Sequence, residues 1–286
     1  MTSPEIRRTA FLQEMGVGPV WRLREAVGQQ AGPAADELIP AEPAAEPVRL
    51  APVHLPQAVD EDLGDGAVPA WVIEEAPFEH EVAVGGNTAP AADIARMDWD
   101  ALQAAVAGCT KCRLCENRTR TVFGTGDRQA RWLFVGEGPG HNEDLQGEPF
   151  VGPAGKLLDN MMGAMGLRRG VNTYIANIVK CRPIGENGRD RSPLPDESAT
   201  CLPYLERQIA LIRPSVIVAL GKSAALALLN AGPDTAVASL RGRVHRHAGV
   251  PVVVTYHPAY LLRKPEDKGQ AWRDLCLAMA THAAID

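Results

Sequence analysis

The chain of 286 residues has no run of about 18 apolar residues, so no segment qualifies as a membrane-spanning helix. Its first stretch, MTSPEIRRTAFLQEMGVG, lacks the apolar core of a secretory signal. The expectation is a cytoplasmic protein whose six cysteines are free thiols or metal ligands rather than disulfides. Residues 1–98 have no lysine; six arginines stand against 17 acids, a net charge of −11. Residues 99–286 hold the other 23 basic residues against 18 acids, a net of +5. The overall charge of −6 hides this split. A basic C-terminal part suits a polyanionic partner.

The composition divides the chain into three. Residues 1–27 carry an interrupted apolar stripe (Phe11, Leu12, Met15, Val20, Trp21, Leu23, Val27) broken by Gly16, Gly18 and Pro19. They read as a short helical segment that could dock on a protein partner. Residues 28–98 are largely Ala, Pro and Glu, with pieces such as AEPAAEP. Such a composition buries too little apolar surface to offset the entropy of ordering, and predicts a disordered linker. Residues 99–286 form the globular domain.

In that domain four apolar runs read as buried strands: Trp132–Val135, Thr173–Val179, Ser215–Leu220 and Val250–Tyr256. Helical patterns lie between and after them, at Ala154–Leu167, Asp196–Ile212, Lys222–Leu229 and about Asp267–Ala284. Strands alternating with helices predict an α/β fold with a parallel sheet covered on both faces. Ligands of such sheets bind beyond the carboxyl ends of the strands. Unusual sequence follows three of those ends: GEGPG, NIVKCRP and YHPAYLLR.

Cys109, Cys112 and Cys115 give C-x2-C-x2-C, and Cys181 and Cys201 follow downstream. This grouping points to a metal or cluster site. Zinc and iron–sulfur clusters both accept four thiolates, and spacing does not choose between them. The second close C-x2-C pair of a typical structural zinc site is missing, as is the C-x3-C-P continuation of a bacterial ferredoxin. Cys276 reads as an ordinary core thiol.

The stretch GEGPGHNEDLQGEPFVG (Gly136–Gly152) holds five glycines but also four acids. The acids argue against a phosphate loop. Pro139-Gly140 stands where a dinucleotide fingerprint needs G-x-x-G opening a helix.

Several motifs occur in one order: Cys109-Thr-Lys-Cys112, Gly136-Glu-Gly-Pro-Gly140, Pro149-Phe-Val-Gly152, Asn177-Ile-Val-Lys-Cys-Arg-Pro183, Cys201 and His257-Pro-Ala-Tyr-Leu-Leu-Arg263. Over about residues 99–280 this ordered set resembles the family 4 uracil-DNA glycosylases, repair enzymes of bacteria and archaea. The resemblance implies a three-layer α/β/α fold around a central four-stranded parallel sheet. It implies one four-iron four-sulfur cluster held by Cys109, Cys112, Cys181 and Cys201, structural rather than redox-active. Cys115 does not match a ligand of that family.

The resemblance also implies roles in flipping and excising uracil from DNA. Phe150 matches the residue that stacks on the base, and Asn177 the residue that reads its edge. His257 matches the active-site histidine that stabilises the leaving uracil. Gly138 stands where other branches of the superfamily carry an aspartate, so Glu143 or Glu137 is expected to place the water. Leu261 and Leu262 could wedge into the stack while Arg263 holds a phosphate. Arg182, Arg189, Arg191, Arg241, Arg243 and Arg246 are further phosphate candidates. The family's Asn-Arg pair after KCRP is aligned here with Asp190-Arg191, with Asn187 displaced. The expected partner is uracil-containing DNA, with the protein a monomer away from membranes. The competing readings are a catalytically weak DNA-binding module and an iron–sulfur redox protein.

Overall fold

The computed structural model of the protein describes residues 91–285. The segment 1–27 and nearly all of the linker therefore lie outside the described residues. The six strands are β1 (Thr125–Gly126), β2 (Trp132–Gly136), β3 (Thr173–Asn177), β4 (Val216–Leu220), β5 (Val244–His247) and β6 (Val250–Thr255). They form one sheet in the order β1-β3-β2-β4-β6-β5. The central β3-β2-β4-β6 ladder is parallel. These are the four runs legible as buried strands. The two edges, β1 and β5, pair antiparallel and were not expected. The sheet thus has six strands rather than four, because each flank gains one short polar strand.

Nine α-helices are described: α1 (Ala91–Ile94), α2 (Trp99–Ala107), α3 (His141–Gln146), α4 (Pro153–Ala164), α5 (Pro195–Ile212), α6 (Lys222–Leu229), α7 (Val237–Leu240), α8 (Pro258–Arg263) and α9 (Lys268–Ala283). None is long and apolar enough to cross a membrane. Strand side chains alternate between faces, and both faces are covered. Leu133, Val135, Ile217, Val252 and Val254 face α2, α5 and α6. Trp132, Phe134, Val216, Val218 and Val253 face α4, α8 and α9. The result is three layers.

The helices form where the sequence supports them. α4 and α5 each begin with proline at the first turn, where its missing N–H is no loss. In α5 the Glu197 carboxylate accepts the Leu194 N–H at 2.8 Å, and Arg213 closes the end in a left-handed conformation. Along α5, Cys201, Tyr204, Leu205, Gln208, Ile209 and Ile212 recur at helical spacing and are all buried. Ile94 of α1 is completely buried in the same core, so the packed domain includes residues that composition assigns to the linker.

Candidate active site and cysteine cavity

The carboxyl ends of β2 and β3 lie side by side, with Gly136 opposite Asn177 in the ladder. A β-carbon on Gly136 would sit 2.5 Å from the Asn177 Oδ1 and 2.6 Å from Cζ of Phe150. Only glycine lets these two side chains meet over the strand end. Beyond it opens a cleft of about 320 Å³, lined among others by Glu137, Gly138, Glu143, Phe150, Asn177 and His257. Asp190, Arg191 and His141 line it as well. The structure therefore brings together every catalytic and base-binding residue expected from the sequence.

The acids of the glycine-rich loop have specific uses. The Glu143 Oε2 accepts the Gly140 N–H at 3.2 Å, while its Oε1 accepts those of Val151 at 2.9 Å and Gly152 at 3.0 Å. One carboxylate thus caps α3 and ties it to the start of α4, while still facing the cleft. The neighbouring Asp144 is buried and accepts the N–H groups of Thr119 and Arg120. The Glu137 Oε2 accepts the hydroxyls of Ser192, at 3.2 Å, and Ser223. These two serines carry no sequence signal, since they lie 55 and 86 residues from Glu137.

Phe150 has a backbone φ of +56°, rare for a bulky residue. Its ring centroid lies 5.5 Å from that of His257. Asn177 is buried, and its side-chain oxygen has no hydrogen-bond partner among the described residues. Its backbone carbonyl accepts the Lys180 Nζ at 2.9 Å. Lys180 is itself fully buried beside Gln208, and burial pushes its pKa down to about 8.

His257 caps α8: its Nδ1 accepts the Ala259 N–H at 3.1 Å. That bond assigns the neutral ring's proton to Nε2. Burial, with help from Arg263 and against Glu143, lowers its pKa to about 4. Gly221, at φ +90°, leaves room for it, since a β-carbon there would lie 2.9 Å from the His257 Cβ. Tyr256, next in the chain, lies 3.9 Å under the Arg241 guanidinium.

Some expected DNA contacts fall elsewhere. Leu261 is completely buried in the core, whereas Leu262 is 45% exposed and Arg263 is exposed. Consecutive positions of a helix point about 100° apart, so only one of the two leucines can face out. Arg241 is taken by an ion pair with the buried Asp274 at 2.7 Å. Arg191 pairs with Glu197 through both terminal nitrogens at 2.7 Å, and Arg182 pairs with Asp190 at 2.5 Å. Asn187 does not line the cleft; its Oδ1 accepts the Arg189 N–H at 3.0 Å within its own loop.

A second, smaller cavity is walled by Cys109, Cys112, Cys115, Cys181 and Cys201, with Arg118, Lys180 and Tyr204. All these thiols are free. Burial raises the pKa of Cys181 to about 11 and of Cys201 to about 12, so neither would ionise unaided at neutral pH. Donors are nevertheless aimed at the sulfurs: the Arg118 guanidinium at Cys181, 3.1 Å, and the Lys180 N–H at Cys201, 3.3 Å. Donors of this kind stabilise thiolates once a cation deprotonates them. Among the described residues no three such side chains converge tightly enough for a single metal ion. The thiols line one shared cavity, a donor set that zinc and iron–sulfur clusters both accept.

The pattern of the Uracil DNA glycosylase superfamily matches residues 123–278. The chain belongs to that superfamily. The match spans the whole cleft, from Gly136 to His257, together with Cys181 and Cys201. Among individual members, the chain is 44% identical to the Type-4 uracil-DNA glycosylase of Archaeoglobus fulgidus over 167 residues, covering 56% of this chain and 81% of that protein. It is 45% identical to the Type-4 uracil-DNA glycosylase of Thermotoga maritima over 159 residues, 55% of this chain and 80% of that protein. It is 40% identical to that of Pyrobaculum aerophilum over 187 residues, 63% and 93% respectively.

Proposed function

We propose that the protein is a monofunctional uracil-DNA glycosylase, which flips deoxyuridine out of DNA and hydrolyses its N-glycosidic bond to leave an abasic site. The observation that carries this reading is the meeting of Phe150, Asn177 and a neutral His257 in one cleft beyond the strand ends. The flipped base stacks on the Phe150 ring. The Asn177 amide, whose oxygen lacks a partner among the described residues, takes the polar edge of the base.

As the bond from the sugar to N1 breaks, its electron pair moves onto uracil. The His257 Nε2–H donates to the uracil oxygen that gains charge. A neutral imidazole is the right donor, and the lowered pKa keeps it neutral. Water attacks the sugar carbon and loses a proton. Glu143, or Glu137 in its place, both facing the cleft, positions the water and receives that proton. Leu262 and Arg263 lie on the exposed side of α8 to meet the DNA.

Cys109, Cys112, Cys181 and Cys201 would hold one four-iron four-sulfur cluster, and Arg118 and the Lys180 N–H would support its sulfur ligands. Its contribution is to hold the α2 end, the segment after β3 and α5 together, because N-glycoside hydrolysis transfers no electrons. We take the protein to act as a monomer in the cytoplasm.

The test is an oligonucleotide with one uracil, incubated with anaerobically purified full-length protein and then treated with alkali. Strand cleavage that depends on uracil and appears only after alkali is expected. Absence of cleavage by folded, coloured protein would overturn the assignment.

A further inference from the structure

The residue on which the base is expected to stack is held in a conformation it would not choose. Phe150 sits at φ +56°, in the left-handed region that disfavours a side chain. Two features fix it there. On one side its carbonyl presses on α4: a β-carbon on Gly155 would lie 1.8 Å from that oxygen, so only glycine fits. On the other side stands Arg169, from the turn between α4 and β3. Its Nη2 donates to the Phe150 carbonyl at 2.8 Å and its Nη1 to the Pro149 carbonyl at 3.0 Å.

Arg169 is itself held. Its Nε donates to the Asp159 carboxylate on α4 at 2.8 Å, and Glu148 lies 3.8 Å from its Nη1. The planar guanidinium spans two consecutive carbonyls with one edge and a carboxylate with another, a geometry that lysine does not reproduce. Arg169 does not line the cleft, so it can act on a base only through Phe150.

We propose that Arg169 is a positioning residue for base capture: it fixes the Phe150 backbone so that the ring stands beside His257 before DNA arrives. The proposal rests on the uracil-glycosylase reading. It makes the affinity for the flipped base depend on a guanidinium outside the cleft.

A double-mutant cycle tests it. Arg169→Ala, Phe150→Ala and the double variant are compared with wild type in single-turnover excision and in inhibition by free uracil. Visible absorption and thermal unfolding are recorded for each. Arg169→Ala is expected to slow excision about ten-fold and weaken uracil inhibition in parallel, since small misplacements are costly in a preorganised site. In the Phe150→Ala background the same change should add almost nothing, because the two residues act as a unit. Arg169→Lys should recover only part of the loss. If Arg169→Ala does not fold, Arg169→Lys and Asp159→Asn take its place in the cycle under the same criterion. Losses that multiply independently, or unchanged uracil inhibition, overturn the role of Arg169 alone. A wild-type protein that releases no uracil overturns the glycosylase reading as well.

Discussion

The rings of Phe150 and His257 lie 5.5 Å apart between centroids, with their planes tilted by 30°. In the proposed function the base stacks on Phe150 and His257 donates to its polar edge. His257→Ala should lower single-turnover excision by about a hundred-fold or more, the usual loss when a preorganised donor to a developing anion is removed. The variant also loses the cap bond to the Ala259 N–H, so its stability should fall by about 1 kcal/mol, far too little to account for the loss of activity. Full activity in that variant would remove His257 from the mechanism.

The same histidine should give the pH profile an unusual shape. Its pKa falls from an ordinary 6.5 to about 4, so excision should show no loss centred near pH 6.5. Stability carries the matching sign. Between pH 6.5 and 4 the unfolded chain binds a proton there that the folded chain does not. Stability is therefore complete above 6.5 and declines toward pH 4, by up to about 3 kcal/mol from this group. Denaturant unfolding at pH 7 and pH 5 should show a smaller decline in His257→Ala than in wild type; equal declines would contradict the shift.

Cys181→Ala should yield colourless protein without bound iron, and a lower unfolding midpoint. Cys115→Ala should keep its visible absorption. If removing Cys115 bleaches the protein while removing Cys181 does not, the ligand set is different from the one proposed.

Leu261 and Leu262 should separate cleanly. Leu261 is fully buried, and Leu261→Ala should cost about 2–5 kcal/mol of stability. Leu262 is 45% exposed, and Leu262→Ala should leave stability nearly unchanged. It should slow excision more from duplex than from single-stranded DNA, because only a duplex must be opened by a wedge. Equal losses on both substrates would rule out that use of Leu262.

How much was legible in the sequence depended on burial and on distance along the chain. β2, β3, β4 and β6 read directly, because strands covered on both faces are almost continuously apolar. α6 was placed to the residue. β1 and β5 were hidden, since a two-residue edge and a Val-His-Arg-His edge have no apolar run to show. Ile94 was lost in an Ala-rich stretch, where one apolar side chain carries no periodicity. In the site, the ordered motifs led to Phe150, Asn177 and His257. Ser192, Ser223 and Arg169 stayed invisible, because each acts on a partner that only the fold brings near. The paired leucines show the limit of motif reading: adjacency in sequence placed them together, and helical geometry turned Leu261 into the core and left Leu262 exposed.

Glu143 and Asp144 are neighbours, yet they fasten different parts of the chain: one holds the entry to α4, the other the segment at Thr119 and Arg120. The loop proposed to receive the base is thus tied down from both sides within the protein itself. Its entropy is lost during folding, not at the encounter. For the proposed glycosylase, the work at the encounter then falls on opening the DNA, the task given to Leu262, and little of it on ordering the loop.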